Sequence, residues 1–299
     1  MLSISKISVG ITAYKNPNYI YEAINSLINQ SVDNWECIFV LDKGADVATE
    51  KIFDEFNHPK FLKYKCKTHK GAEQARHKAI RLSTSKWFFQ LDSDDIIPPY
   101  AIDDILKTIN QNPNAEFIYG PTKHFSKRSS YVMEPSNDPE VLTTSPLFSA
   151  IMPIKISMYF RLGGYAKELN YFAADWDFWL SVYEKKIVGA ETKKIIYHRR
   201  NHNNNVISRN MSRWPEVIST IIARHPIYFC NNKRKRKALF YVYEKLARYY
   251  RTIRKRNKAA FYAKIAIKNG GNTPVLNEIL KEEKMSKARY ALRIIGKLI

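Results

Sequence analysis

The first 120 residues alternate between two hydrophobic patterns, and this alternation constrains the fold more than any other feature of the sequence. Short β-rich runs, such as residues 4–13 and 87–91, are separated by segments with helical spacing, such as residues 19–29. Strands that alternate with helices form a mostly parallel sheet, because each right-handed crossover packs a helix against it. We therefore predict an α/β fold with a Rossmann-like mixed sheet flanked by helices. Further strands are expected at 35–41, 61–66, 116–119 and 193–197, an exposed hairpin at 126–133, and further helices at 45–56, 72–82, 100–110 and 174–183.

Polar residues follow three of the predicted strands. Thr12 ends the first, Asp42 ends the second, and the acidic turn DSDD at residues 92–95 follows the apolar run WFFQL. Ligands of such sheets bind beyond the carboxyl ends of the strands. We expect these side chains to gather on one edge of the sheet and to form the functional site.

The acidic turn at 92–95 carries three carboxylates in four residues. Their mutual repulsion has to be offset, and Mg²⁺ or Mn²⁺ does so with carboxylate, phosphate and water ligands. The alternative is a solvated acidic turn that caps a helix starting near Pro98. The position after a buried strand, on the same edge as Asp42, favours the metal site.

The charge of the chain is concentrated at its C-terminus. Residues 224–299 hold 21 basic and 4 acidic residues, a net charge of +17, whereas residues 1–223 carry +4. A histone-like protein that coats nucleic acid along its whole length is therefore disfavoured. We predict one domain over residues 1–223 and a basic helical tail over 224–299, with helices at 239–255, 258–269, 273–284 and 287–298.

The cysteine pattern and the lengths of the apolar segments indicate in which cellular compartment the protein is expected. Cys37, Cys66 and Cys230 form neither a disulfide framework nor a zinc signature, so we expect a reducing compartment. The first residues lack the charged and apolar regions of a signal peptide. No apolar stretch approaches the roughly 20 residues of a membrane span. We expect a cytoplasmic protein that is soluble or peripheral to a membrane.

Five segments, in order, resemble the family 2 nucleotide-sugar glycosyltransferases. The opening ISVGITAYKNPNYIYEAINSLINQSVDNWECIFVLDKG is similar to the first two strands of that family and the helix between them. HKGAEQARHKAI resembles its Gly-x-x-x-Ala-Arg-Asn helix, and FFQLDSDDIIPP its Asp-x-Asp signature. RLGGYAKELN and YFAADWDFWLSVYEK resemble its Gly-Gly-Phe and Glu-Asp motifs. The resemblance covers about residues 5–210 and implies the GT-A fold, with a nucleotide-binding half over 1–120 and an acceptor half over 121–223.

The resemblance assigns the nucleotide to the ends of the first two strands. Thr12, Ala13 and Tyr14 match the turn that lines the base. Asp42 matches the carboxylate that accepts the imide N–H of uracil, so that a UDP-sugar is the expected donor. Arg76 matches the helix arginine near the nucleotide.

The resemblance also implies a metal-bound diphosphate. Asp92 matches the first aspartate of the signature, near the ribose, and Asp94 matches the second, on a Mn²⁺ or Mg²⁺ ion. Ser93, between them, is counted with the nucleotide-sugar-binding residues, whereas Asp95 is expected to be structural. His202 matches a late histidine that closes over the diphosphate or the metal, and a surface position is its alternative.

The catalytic assignment falls on Asp175. It matches the base of the Glu-Asp motif, and an inverting hexosyltransferase needs one base and no protein nucleophile. The alternative is that Asp175 caps the helix that follows. Asp177 would be the base if the register were shifted by two residues. Ala174 replaces the glutamate of the motif. This removes a carboxylate from the acceptor site and leaves the identity of the acceptor open.

The expected partners are a nucleotide-sugar donor and a glycan or lipid-linked acceptor of surface polysaccharide or oligosaccharide synthesis. For the tail, aromatic residues interleaved with Lys and Arg favour an anionic membrane surface. A soluble helical appendage remains open, and nucleic acid is disfavoured.

Two rival functions share this fold. A sugar nucleotidyltransferase would need a glycine-rich basic loop after the first strand, which TAYKNPN lacks. A non-catalytic nucleotide-sugar-binding module is disfavoured because four matched aspartates are retained: Asp42, Asp92, Asp94 and Asp175.

Overall fold

The computed structural model describes residues 6–69, 71–136, 138–148, 151–169, 172–201 and 210–295, with side chains to residue 285. The chain forms two compact units. The first comprises residues 1–138 and 146–205, and the second comprises 139–145 and 206–299. Composition draws a boundary at residue 224, whereas the compact units divide at 205/206.

A seven-stranded sheet forms the centre of the first unit. Its strand order is β3-β2-β1-β4-β8-β5-β9. The strands of this sheet are β1 (Ile7–Ala13), β2 (Trp35–Leu41), β3 (Phe61–Lys65), β4 (Trp87–Asp92), β5 (Phe117–Tyr119), β8 (Ile154–Lys155) and β9 (Gly189–Glu191). The strands β1 to β4 pair in parallel, and among the described strands of this sheet only the two-residue β8 runs antiparallel to its neighbours. The predicted α/β class with a mostly parallel sheet is therefore confirmed.

In the described residues of the first unit, six helices connect these strands. They are α1 (Pro17–Ile28), α2 (Val47–Glu55), α3 (Ala72–Leu82), α4 (Ala101–Gln111), α5 (Ile156–Arg161) and α6 (Ala174–Glu184). Apolar residues at helical spacing face the sheet; in α4 these are Ile102, Ile105, Leu106 and Ile109. Burial of such side chains, each worth about 1.5–3 kcal/mol, stabilises the layered arrangement.

Glu36 fastens the amino ends of the strands, at the edge opposite the predicted site. Its carboxylate accepts hydrogen bonds from Ser8 Oγ at 2.5 Å, from Thr84 N at 2.8 Å and from Lys6 Nζ at 2.9 Å. Burial disfavours the charged form, but the bonds from Ser8 and Thr84 outweigh it and lower the pKa of Glu36 to about 2.

A second sheet of three strands has the order β10-β6-β7. It contains β6 (Thr122–Phe125), β7 (Ser130–Met133) and β10 (Tyr197–Arg200). The strands β6 and β7 form a hairpin whose second strand is exposed, as predicted, although the hairpin begins at Thr122. The predicted strand at 193–197 is wrong: the strand starts at Tyr197, where it pairs with Thr122.

The second unit is helical. It contains α7 (Trp214–Arg224), α8 (Asn232–Thr252), α9 (Arg256–Gly270) and α10 (Pro274–Ile295), with short 3-10 turns at Pro139–Thr143, Met211–Arg213 and Tyr228–Cys230. The prediction of two helices at 273–284 and 287–298 is wrong. The segment Lys284–Met285–Ser286–Lys287 has no Gly or Pro, so α10 runs through it.

Internal ion pairs hold part of the basic charge of this unit. Arg251 donates to Glu278 at 3.0 Å and to Glu282 at 2.6 Å, which links α8 to α10. Arg234 pairs with Glu140 at 2.6 Å. Within the ranges described, none of the helices is both long and apolar enough to cross a membrane.

Candidate active site

The strand register gathers the predicted residues at the carboxyl edge of the sheet. Thr12 lies opposite Asp92 across the β1–β4 pairing, and Ala13 lies opposite Leu41 across β1–β2. The backbone N–H of Asp42 donates to the carbonyl of Ala13 at 2.9 Å. Residues separated by up to 80 positions in sequence therefore share one edge.

Arg76 is directed at the first aspartate of the acidic turn. Helix α3 begins after Gly71, whose φ of +86° is a conformation that other residues rarely adopt. Arg76, on the second turn of α3, donates from Nη2 to Asp92 Oδ1 at 2.8 Å and to Oδ2 at 2.9 Å. Burial raises the pKa of Asp92, but the charge of Arg76 outweighs it and holds that pKa below its usual value.

Asp95 anchors the acidic turn to strand β10. It is 3% exposed and accepts hydrogen bonds from Tyr197 Oη at 2.9 Å and from Arg200 N at 2.6 Å. The Tyr197 hydroxyl also accepts from Asp92 N at 3.0 Å. The alternative of a solvated turn that caps the next helix is wrong, because α4 begins at Ala101 with no side-chain cap.

Ser93 and Asp94 lie in the middle of this turn. Ser93 is 4% exposed, and its Oγ accepts from Asn16 Nδ2 at 2.7 Å, which joins the turn to the loop after β1. Asp94 is half-buried, and its carbonyl accepts from Arg200 Nε at 2.8 Å. Asp94 is therefore partly exposed on a turn whose backbone is held by Arg200.

Asp42 is paired with a histidine that the sequence did not single out. It is 5% exposed; its Oδ1 accepts from Lys43 N at 2.9 Å, and its Oδ2 lies 2.7 Å from His69 Nδ1. The ring of His69 is stacked on Tyr14, with centroids 4.8 Å apart and planes 17° apart. Tyr14, Asp42 and His69 therefore form one cluster at the end of β2.

Asp175 lies in the first turn of α6. The helix begins at Ala174, and the residue before it, Ala173, has a φ of +68° and contributes no side-chain cap. The alternative that Asp175 is the N-cap is therefore wrong. Its Oδ1 accepts instead from Trp176 N at 2.9 Å, and the residue is half-buried.

Asp177 faces away from Asp175. Residues two apart on a helix point to different sides, and Asp177 is 1% exposed. A substrate hydroxyl cannot reach a carboxylate that is buried in this way. The structure therefore favours Asp175 over the shifted register.

The Gly-Gly-Tyr motif packs against the helix that carries Arg76. A side chain on Gly164, whose φ is +70°, would meet the Tyr159 ring at 2.8 Å. The Tyr159 hydroxyl lies 3.0 Å from His77 Nδ1 and accepts from Tyr165 N at 3.2 Å. This motif therefore has a packing role beside the site.

Two charged residues that were not predicted from the sequence, Glu73 and Arg199, also interact electrostatically with the carboxyl groups of the site. Glu73 is 9% exposed, and burial, partly offset by Arg76 and reinforced by Asp175, raises its pKa to about 7. The cation of Arg199, on β10, lowers the pKa of both Asp92 and Asp175. Burial nevertheless dominates at Asp175 and raises the pKa of its carboxyl. Strongly shifted groups of this kind concentrate at functional sites.

Buried polar atoms around this cluster point to a polar ligand. Asn16 Oδ1, Arg76 Nε and Gln90 Oε1 are buried without a hydrogen-bond partner in the described part of the chain. Each such atom costs about 1–3 kcal/mol unless water or a ligand satisfies it.

The donor set at the acidic turn suits a divalent cation that is shared with phosphate. Among the described residues, no three His, Cys, Asp or Glu side chains converge closely enough to hold a metal. Mg²⁺ commonly takes one or two carboxylates and completes its shell with substrate phosphates and waters. Asp94 fits such a shared site. His202 lies outside the described residues.

A family model matches the part of the chain that contains Thr12, Asp42, Arg76 and the acidic turn. The model of glycosyl transferase family 2 matches residues 8–166. The chain belongs to glycosyl transferase family 2. The recognition made from the five motifs is therefore confirmed.

Curated relatives of this family 2 chain include synthases and uncharacterized glycosyltransferases. An uncharacterized glycosyltransferase of Haemophilus influenzae is 28% identical over 189 residues, which are 60% of this chain and 62% of the relative. A chondroitin synthase of Pasteurella multocida is 26% identical over 214 residues, 70% of this chain and 22% of that protein. The chain thus spans less than two thirds of the length of either relative.

Solved structures confirm the GT-A fold. S. aureus TarS 1–349 superposes with a TM-score of 0.57 at 16% identity over 88% of both chains. The same fragment in complex with UDP-GlcNAc gives a TM-score of 0.57 at 15% identity, over 88% of this chain and 89% of the fragment. At this identity the likeness concerns the fold alone.

Proposed function

We propose that this family 2 chain is an inverting, metal-dependent glycosyltransferase that moves a sugar from a UDP-sugar to a glycan or lipid-linked acceptor. The observation that carries the proposal is the position of Asp175. Its half-buried side chain shares one electrostatic cluster with Arg76 and Asp92 at the carboxyl edge of the sheet. A base beside a nucleotide site is the arrangement that direct displacement requires.

The nucleotide would bind across the ends of β1, β2 and β4. Tyr14 offers an aromatic face and Asp42 a buried acceptor, which suit a base with an imide N–H. Thr12 and Ala13 line the same turn, and Asp92 and Ser93 supply polar groups for the ribose. The TarS complex with UDP-GlcNAc supports this class of donor.

The base role of Asp175 follows from its raised pKa and its access. A general base works best when its pKa approaches the operating pH, and burial moves Asp175 in that direction. In its charged form, the carboxylate would take the proton of the acceptor hydroxyl as that oxygen attacks the anomeric carbon. No protein nucleophile is needed, so the configuration would invert.

A Mn²⁺ or Mg²⁺ ion would be held by Asp94 together with the diphosphate oxygens. The cation supplies charge neutralisation for the departing diphosphate. Asp95 and Tyr197 keep the backbone of the turn fixed beneath it, and His202 is proposed to close over the diphosphate.

The basic C-terminal segment would bring the enzyme to an anionic membrane at the cytoplasmic face. Exposed lysines lie on α8 and α9, including Lys233, Lys237, Lys264 and Lys268. Basic residues near an anionic leaflet each add about 1 kcal/mol of attraction. A lipid-linked acceptor would be found at that surface, and the similarity to the chondroitin synthase supports a polysaccharide product.

Donor hydrolysis tests the proposed activity. The full chain is incubated with Mn²⁺ and a panel of UDP-, GDP-, CDP- and TDP-sugars, and release of the nucleoside diphosphate is measured. We expect release from at least one UDP-sugar, and its loss with Asp175→Asn. Release confined to another nucleotide would refute the role given to Asp42.

A further inference from the structure

His69 contacts two side chains of the proposed nucleobase-binding site, Tyr14 and Asp42. Tyr14 is stacked against the imidazole of His69, with 4.8 Å between ring centroids and 17° between ring planes. Asp42 Oδ2 lies 2.7 Å from His69 Nδ1. A carboxylate can only accept, so Nδ1 carries the proton of this bond.

The two contacts of His69 are the contacts that a pyrimidine imide would make. A flat ring with an in-plane N–H would stack on Tyr14 and donate to Asp42. The second oxygen of Asp42 accepts from Lys43 N at 2.9 Å. When a nucleobase N–H approaches Asp42, Oδ2 is therefore already bonded to His69 and Oδ1 to the backbone amide of Lys43.

Beyond these two contacts, the described residues do little to hold the side chain of His69. It lies in the short segment between β3, which ends at Lys65, and α3, and its side chain is 52% exposed. Asp42, by contrast, is 5% exposed and lies at the end of a buried strand. Movement of the imidazole into solvent is therefore the low-cost way to free Oδ2.

We infer that His69 is an intramolecular competitor of the nucleobase, which a donor must displace from Tyr14 and Asp42. The inference rests on the proposed UDP-sugar site and adds a residue that sets donor affinity. Because the competitor is tethered, it lowers the affinity for every nucleotide that uses Asp42, by an amount set by its own contacts.

Calorimetry of UDP binding to the full chain tests the competition. His69→Ala removes the competitor and leaves Asp42 in place. UDP no longer has to displace the charge-assisted hydrogen bond of His69, part of which water would replace, so we expect UDP to bind roughly 5- to 30-fold more tightly. In the Asp42→Ala background, His69→Ala should give a much smaller gain, because the contested acceptor is gone.

His58→Ala is the matched control. His58 is stacked near Trp35, with centroids 6.2 Å apart, at the opposite end of β3. Its loss removes a stacked imidazole but leaves the site unchanged, so the affinity for UDP should stay within twofold. An increase equal to that of His69→Ala would overturn the inference.

The outcomes separate the inference from the proposed function. Weaker UDP binding by folded His69→Ala would mean that His69 positions Asp42, and the inference would fail alone. No UDP binding by any folded variant, wild type included, would remove both the donor site and the inference.

A second measurement does not depend on the variant. NMR of the imidazole nitrogens in wild-type protein reports the bond between His69 Nδ1 and Asp42. Saturation with UDP should shift the His69 signals towards those of a solvated ring and leave those of His58 unchanged. An unaltered His69 signal in UDP-saturated protein would contradict displacement.

Discussion

Arg76 and Asp92 are joined through a single guanidinium nitrogen, since Nη2 of Arg76 donates to both carboxylate oxygens at 2.8 and 2.9 Å. Arg161 makes the same arrangement with Glu116 at 2.7 and 2.8 Å. The arginines differ in exposure: 14% for Arg76 and 54% for Arg161. One geometry thus occurs in two environments within the first unit.

This pairing gives a matched comparison of stability. Arg76→Ala leaves Asp92 partly buried without its partner, so we expect a loss of about 2–4 kcal/mol in the free energy of unfolding, towards the range of buried pairs. Arg161→Ala should lose less than about 1 kcal/mol, as exposed pairs do. Urea denaturation at pH 7 measures both. Equal losses would mean that the environment of Arg76 is not the determining factor.

Asp175→Asn should abolish transfer without unfolding the protein. Loss of a positioned base typically costs about 10²–10⁴-fold in rate, whereas UDP affinity and melting temperature should stay near wild type. Wild-type transfer should also fall as the pH drops through the raised pKa of Asp175, because a protonated carboxyl cannot accept the proton. Transfer rates from pH 4 to 8, with calorimetry of UDP, provide the measurement.

Asp177→Asn is the control for the register. Asp177 is buried, so this change should lower the melting temperature while the folded enzyme keeps most of its transfer rate. An inactive, stable Asp177→Asn together with an active Asp175→Asn would move the base role by two residues.

Nucleotide binding should require a divalent cation. We expect UDP to bind in the presence of Mn²⁺ and to lose at least tenfold in affinity in EDTA, because the acidic turn otherwise repels the diphosphate. Asp94→Asn should lose most transfer activity at an unchanged melting temperature. Asp103→Asn, on the exposed side of α4 where Asp103 pairs with Lys107, is the control. Equal UDP affinity with Mn²⁺ and with EDTA would remove the metal from the proposal.

Exposed lysines of the second unit should govern binding to anionic vesicles. Replacement of Lys233, Lys237, Lys264 and Lys268 by Gln should weaken sedimentation with phosphatidylserine vesicles by about 10- to 1000-fold at low salt. Donor hydrolysis should be unaffected. The control replaces four exposed lysines of the first unit: Lys51, Lys107, Lys127 and Lys185. Insensitivity to salt, or an equal loss in the control, would exclude an electrostatic anchor in the second unit.

Glu36 should stabilise the fold in a pH-dependent way. Its pKa of about 2 lies below the value of about 4.3 expected in the unfolded chain. The stabilisation is therefore present above about pH 4.5 and is lost as the pH falls towards 2. Glu36→Gln should cost about 1–3 kcal/mol at pH 7, and its difference from wild type should shrink at pH 3. Urea denaturation at both pH values measures this, and a constant difference would refute it.

The strand and helix pattern was predictable because the apolar runs of β1, β2 and β4 are local signals. The carboxyl edge with Thr12, Asp42 and Asp92 followed from the rule that parallel strands end together. The end of α6 that carries Asp175 was placed within one residue, but its capping depended on the left-handed backbone of Ala173, which no residue type indicates. The unbroken α10 was missed because its apolar spacing weakens near residue 286.

The rest of the site depends on contacts between distant segments. His69 follows a polar segment and meets Asp42 only because β2 and β3 are neighbours in the sheet. Glu73 was not predicted, and only Arg76 was assigned to the site from this helix. A buried acidic residue in a helix of the site is nevertheless a detectable signal. Tyr197 lies 105 positions from Asp92, and sequence spacing gives no indication of that bond.

The hydroxyl of Tyr197 also limits how far the chain can be shortened from its C-terminus without loss of the contacts that anchor the acidic turn. The part of the chain that matches the family model ends at residue 166, 31 positions before the tyrosine that satisfies Asp95. A shortened protein that stops at the family boundary would retain every residue of the acidic turn and lose what anchors it, since Asp95 would be buried without Tyr197 and Arg200. During synthesis, too, the bonds from Tyr197 and Arg200 to the turn can form only after strand β10 has left the ribosome.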